Sequence, residues 1–116
     1  VTRFALVGWS FGGAVITNTA ARLTETRTLV GFAPQAKDTE AVAQFPGRSI
    51  LLFHSRADEN VPYESSDFIL AEAPAQTRKQ LVTLEEADHR LTGVGQRLGE
   101  VALSWLWHEL ELDTCS

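Results

Sequence analysis

Four short apolar runs punctuate the chain: Phe4-Ala5-Leu6-Val7, Thr28-Leu29-Val30-Gly31-Phe32-Ala33, Ile50-Leu51-Leu52-Phe53 and Leu81-Val82-Thr83-Leu84. Each is of strand length, rich in β-branched or aromatic residues, and apolar at consecutive rather than alternate positions. That pattern predicts strands buried on both faces, which belong to parallel sheets covered by helices. Helical patterns fill the intervals. Residues 11–23 carry Ala14, Val15 and Leu23 among polar Thr17, Asn18 and Arg22, and a weaker segment lies near 36–44. Residues 62–73 open on Pro62, suited to a first helical turn, and carry Phe68, Ile69 and Ala73. The last segment places Leu91, Val94, Leu98, Val101, Ala102, Trp105 and Leu106 at helical spacing. Strand and helix alternating four times predict an α/β fold, a mostly parallel sheet with flanking helices and right-handed crossovers.

Composition narrows the classes. At 116 residues the chain fits one domain, or part of one, over 1–116, and 44% hydrophobic with 22% charged residues is ordinary for a globular protein. No apolar run is long enough to span a bilayer. A net charge of −5, with the two signs mixed along the chain, argues against a nucleic-acid partner. The single cysteine, Cys115, cannot form an internal disulfide, so nothing demands an oxidising compartment and a cytoplasmic location is expected. The sequence opens at Val1 inside a strand-like run. This reads as a chain whose natural start is missing, and a signal peptide ahead of it would be out of view.

The chemistry concentrates in Gly8-Trp9-Ser10-Phe11-Gly12-Gly13, between the first strand and the first helix. G-x-S-x-G in that context marks a tight strand-to-helix turn with Ser10 at its apex in a strained conformation. Side chains at Gly8 and Gly12 are expected to crowd the turn. The Ser10 hydroxyl then stands above the sheet, with the N–H of Phe11 aimed where an oxyanion would form. A serine nucleophile needs a base, and the base needs an orienting carboxylate. Asp58 follows the third strand after His54-Ser55-Arg56-Ala57, and His89 follows the fourth in Glu85-Glu86-Ala87-Asp88-His89. Both loops lie at strand carboxyl ends, the edge where doubly wound sheets gather their sites.

On these residues, GWSFGG at 8–13, LLFHSRADENVP at 51–62 and LEEADHRLT at 84–92, the chain resembles the C-terminal half of an α/β-hydrolase-fold serine hydrolase. It is most similar to small lid-less members such as dienelactone hydrolases and serine-aminopeptidase-like hydrolases. The resemblance implies the last four strands of that fold. It also implies a triad of Ser10 as nucleophile, His89 as base and Asp58 as acid, half of an oxyanion hole at the Phe11 N–H, and elbow glycines Gly8 and Gly12. The family's usual His-Gly-x-x-Asp-x-x-Val-Pro stretch has Ser55 in place of its glycine here. The implied reaction is cleavage of a carboxylic ester or related acyl compound through an acyl-enzyme, with no cofactor. Thioesterase, peptidase and acyltransferase chemistry use the same triad, and a non-catalytic binding domain is the rival from another class.

Other residues take plainer readings. His54, at the end of a buried strand, is read as structural, as in the family, and His108 has no partner motif. Glu59 and Asp88 are decoys for the acid. Trp9 and Phe11 read as packing of the turn rather than as substrate contacts, Trp105 as core, and Phe32-Ala33-Pro34-Gln35 as a candidate pocket wall. Glu85, Glu86 and Asp88 read as a solvated loop, and no ligand spacing implies a metal. The short interval between the second and third strands leaves no room for a helical cap, so an open site for a small acyl substrate is expected. If strands are missing ahead of Phe4, the edge at Phe4–Val7, guarded only by Arg3, invites self-association.

Overall fold

The structure is a computed structural model that describes residues 4–20, 22–23, 25–37, 39–45 and 47–115, with side chains followed to residue 110. Four strands, β1 (Phe4–Trp9), β2 (Thr26–Phe32), β3 (Ser49–Ser55) and β4 (Arg78–Leu84), form one sheet in the order β1-β2-β3-β4. All three pairings are parallel. The connections carry α1 (Phe11–Ala20), a short 3₁₀ helix (Glu40–Gln44) and α2 (Glu64–Glu72), and the chain closes on α3 (Gly95–Cys115). The β2–β3 connection holds nothing larger than the 3₁₀ helix among the described residues.

Strand alternation divides the apolar runs between two cores. Leu29, Ile50 and Leu52 face Ala20, Val42, Ile69 and Ala73, so α1, the 3₁₀ helix and α2 share one side of the sheet. Val30, Leu51 and Phe53 face Leu91, Leu98 and Ala102 under α3 on the other. Burial on both faces is realised in β2 and β3 only. β1 and β4 have one neighbour each among the described residues, and Val7 and Trp9 on the α3 side of β1 remain 51% and 42% exposed. The consecutive apolar pattern was expected to bury all four strands alike. It holds for the two inner strands, because sheet position decides the outcome.

α3 starts later than its periodicity implies. Leu91 is fully buried, yet it sits at φ 58° in a turn before the helix, and Gly93 follows at φ 82°. Leu91 and Val94 therefore pack with the helical residues without belonging to the helix. The far end of α3 is pinned to the N-terminal ends of the strands. Glu109 is buried, accepts a hydrogen bond from the Ser49 hydroxyl and faces the Arg78 guanidinium. Ser49 bonds Thr28 at 2.8 Å, and the Trp105 indole N–H donates to Thr28 Oγ1 at 2.9 Å. Trp105 is thus half core and half latch, whereas Trp107 is exposed.

Candidate active site

The turn after β1 is built by backbone. Ser10 takes φ 55°, a left-handed conformation uncommon for a residue with a side chain. Its N–H donates to Phe32 O at 2.9 Å, and its carbonyl accepts from Gly13 N at 2.9 Å and Gln35 N at 3.1 Å. The segment after β2 is therefore a support for this turn, with Ala33 and Pro34 buried beneath it. A Cβ on Gly8 would stand 2.5 Å from Gly12 O, so Gly8 is required as expected. The expectation for Gly12 is corrected: a Cβ there meets nothing within 4 Å. The second sterically required glycine is Gly13, whose Cβ would fall 2.6 Å from Pro34 Cβ and 2.9 Å from Pro34 Cα. Gly13→Ala is expected to destabilise the fold by about 1–3 kcal/mol through overpacking. Gly12→Ala should be neutral or stabilising by up to about 1 kcal/mol, since alanine is the better helix former. Urea melts of the two variants check this ranking.

Three loops at the carboxyl ends of β1, β3 and β4 converge. Ser10 Oγ lies 2.9 Å from His89 Nε2, and His89 Nδ1 lies 2.7 Å from Asp58 Oδ2. The Asp58 side chain is fully buried and that of His89 is 16% exposed. Asp58 Oδ1 accepts the N–H groups of Asn60 and Val61, each at 2.8 Å. Burial is the largest influence on Asp58 and pushes its carboxyl up. The Val61 N–H, His89 and the Asn60 N–H together outweigh it and hold the group below the ordinary aspartate value. An ionised Asp58 fixes the tautomer of His89: Nδ1–H donates to Oδ2, which leaves Nε2 to accept the Ser10 hydroxyl proton. Phe11 is the first residue of α1, so its N–H is among the donors that a helix leaves without an intrahelical partner.

The remaining candidates separate from this cluster. Asp88 turns away from His89 and caps the turn before α3. Its Oδ1 accepts from Thr92 N and its Oδ2 from the Thr92 hydroxyl, both at 2.8 Å. Glu59 is exposed, and His108 lies in a groove along α3 at the opposite end of the strands. Ser55, the departure from the usual glycine, is accommodated: its Oγ accepts the Ala57 N–H at 3.1 Å and tightens the acid loop. Trp9 stacks on Phe32 with centroids 5.4 Å apart, and Phe32 stacks on Phe53 at 4.7 Å. Phe11, expected to pack against the turn, is instead 58% exposed. A cleft of about 260 Å³ lies between the acid and histidine loops, bordered by Ala57, Asn60, Glu86, His89 and Arg90. Ser66 escaped the sequence reading. It is fully buried on α2, with its hydroxyl 2.7 Å from His54 Nδ1. Among the described residues, no group of three or more His, Cys, Asp and Glu side chains is placed to hold a metal ion. None of their helices is long and apolar enough to cross a membrane.

No protein-family model matches the chain, and no curated protein matches it in sequence. Solved structures do match. Est1E from Butyrivibrio proteoclasticus superposes with a TM-score of 0.80 at 18% identity, over 96% of this chain and 63% of its own. The dienelactone hydrolase from Anabaena variabilis gives 0.78 at 23% identity, over 90% of this chain and 49% of its own. The esterase domain of a Rhodothermus marinus protein gives 0.68 at 23%, over 84% of this chain and 58% of its own. The chain spans about half to two thirds of the length of these proteins. Four parallel strands with flanking helices have here the architecture of the α/β-hydrolase fold, as the resemblance implied.

Proposed function

We propose that the protein is a serine hydrolase that cleaves a carboxylic ester or related acyl compound through an acyl-enzyme intermediate. The observation that carries this reading is the continuous hydrogen-bonded chain Ser10–His89–Asp58. The Ser10 Oγ attacks the substrate carbonyl carbon as its proton passes to His89 Nε2, and Asp58 stabilises the imidazolium that forms. The Phe11 N–H donates to the oxyanion of the tetrahedral intermediate. Collapse expels the alcohol, which takes the proton from Nε2. A water then gives its proton to Nε2 and adds to the acyl carbon, and the second collapse releases the acid and restores the Ser10 hydroxyl. No step calls on a cofactor. The similarity to esterases and a dienelactone hydrolase supports the ester as substrate class. A fluorophosphonate probe should label Ser10 covalently in the full-length protein that carries this chain. An ester, thioester and peptide panel then orders the substrates. Absence of both labelling and turnover would return the domain to a binding role.

The same reading makes residues 1–116 a C-terminal portion of the catalytic domain. β1 would pair a further strand along its open edge, and the loop supplying a second oxyanion donor would lie upstream. Losing one such donor costs about 3–4 kcal/mol of transition-state stabilisation. Val7 and Trp9 on β1 and Phe11 and Val15 on α1 are all more than two-fifths exposed, while Arg3 lies outside the described residues. Sedimentation of the 116-residue chain alone should therefore show oligomers, with negligible esterase activity. A monodisperse monomer hydrolysing p-nitrophenyl esters in a Ser10-dependent way would refute this.

A further inference from the structure

We propose that His54 and Ser66 form a buried bracket that aims the Asp58 carboxylate at His89, which makes His54 a positioning residue rather than a filler of the core. The proposal rests on the hydrolase reading above and adds a part to it. Asp58 Oδ2 sits between two imidazoles, 2.7 Å from His89 Nδ1 and 3.3 Å from His54 Nε2. His54 Nε2 also lies 3.0 Å from the Val61 carbonyl oxygen. A carbonyl only accepts, so Nε2 carries a proton, which it donates to Val61 O with its partial positive charge also beside Oδ2. In the neutral ring, Nδ1 then accepts from the Ser66 hydroxyl at 2.7 Å. Both side chains are fully buried, so no solvent competes for these bonds.

The bracket has two jaws. Val61 closes the first by donating its N–H to Oδ1 and accepting from His54 with its carbonyl. His54 closes the second by meeting Oδ2 from the core side while His89 meets it from the cleft side. The Val61 carbonyl sets the tautomer, and the Ser66 hydroxyl, donating to Nδ1, holds the ring in place from its other side. Without that hydroxyl Nδ1 is left unpaired in the core, and the ring is free to shift Nε2 away from Asp58. Tyr63 holds the ring plane, tilted against it with centroids 5.7 Å apart and tied to Thr83 of β4 by its hydroxyl at 2.6 Å. A residue present only to fill volume would need none of these contacts.

The test uses the full-length protein with Ser66→Ala, His54→Leu and His54→Gln, whose amide N–H can replace Nε2–H. Turnover of p-nitrophenyl acetate is measured per probe-labelled site, and the imidazole N–H protons are followed by NMR. Ser66→Ala should lower kcat about 5- to 20-fold with KM within about twofold, as for loss of one buried hydrogen bond to a charged network. His54→Leu should fall further, and His54→Gln should recover most of the loss. The downfield His89 Nδ1–H resonance should move in Ser66→Ala and return toward its wild-type position in His54→Gln. Wild-type turnover per site and an unmoved resonance, whatever the change in Tm, would overturn the proposal. If wild type neither labels nor turns over, the hydrolase reading fails, and the resonance alone decides whether the bracket holds. If His54→Leu does not fold, Ser66→Ala and His54→Gln carry the test.

Discussion

Ser10→Ala in the full-length protein is expected to lower kcat by about 10⁴-fold or more and to abolish fluorophosphonate labelling, with little change in stability. The size follows from what one oxygen does. Ser10 Oγ is the atom that meets His89 Nε2, at 2.9 Å, and the strained turn presents it. Alanine keeps the backbone, so the bonds from Ser10 N to Phe32 O and from Gln35 N to the residue-10 carbonyl survive. The substitution thus separates chemistry from folding. Matching far-ultraviolet spectra and melting curves, beside a lost rate, would tie turnover to this hydroxyl. Labelling that persists in Ser10→Ala would place the nucleophile elsewhere and sink the assignment.

Asp58→Asn is expected to cost about 10⁴-fold in kcat, and Asp88→Asn only a few-fold. An asparagine amide at 58 can donate to His89 Nδ1. The proton then shifts to Nε2, which can no longer accept from Ser10. Asp88 has both oxygens occupied by Thr92, so its charge has no route to the neighbouring ring. The two carboxylates also differ in their effect on acid stability. The folded Asp58 lies below its unfolded value despite burial, so its ionised form stabilises the fold above the ordinary aspartate value of about 3.9. That contribution disappears as pH falls through the lower folded value, and urea melts of Asp58→Asn should lose this part of the acid-side slope. Asp88, held low chiefly by the Thr92 N–H and hydroxyl, acts in the same direction. It makes its contribution at the surface, where screening keeps it small. A larger kcat loss in Asp88→Asn than in Asp58→Asn would reverse the assignment of the acid.

The positions of Ser10, Asp58 and His89 could be anticipated because each follows an apolar run at a strand end, and a parallel sheet sends all such ends to one edge. What escaped depends on contacts between distant segments. Nothing in Gly12-Gly13 says which glycine meets Pro34, since that is settled by how the segment after β2 folds back under the turn. The consecutive apolar pattern of β1 and β4 matched that of β2 and β3, and pattern alone does not reveal which strands lie outermost. Leu91 continued the helical spacing of α3 because a buried residue in a preceding turn can fall in phase with a helix by chance. Glu109 and Ser66 are polar positions on helices that no motif in the sequence singles out. Each is buried against polar partners elsewhere in the chain, Ser49 and Arg78 for Glu109 and His54 for Ser66. His54 read as structural is consistent with its full burial, but burial says nothing of the carboxylate at its other nitrogen.

The Ser10–His89 bond joins residues 79 apart in the chain. Synthesis is vectorial, so Ser10 leaves the ribosome long before the imidazole that will sit beside it. At about 5–20 residues per second, the interval lasts roughly ten seconds. Throughout it Ser10 Oγ lacks the imidazole partner that it meets in the fold. His89 follows β4, which pairs with β3 at the edge of the sheet away from β1, so its loop reaches the Ser10 turn only once β4 has been made. The Ser10–His89 bond is thus a late event of translation, tied to β4 and the loop after it rather than to β1.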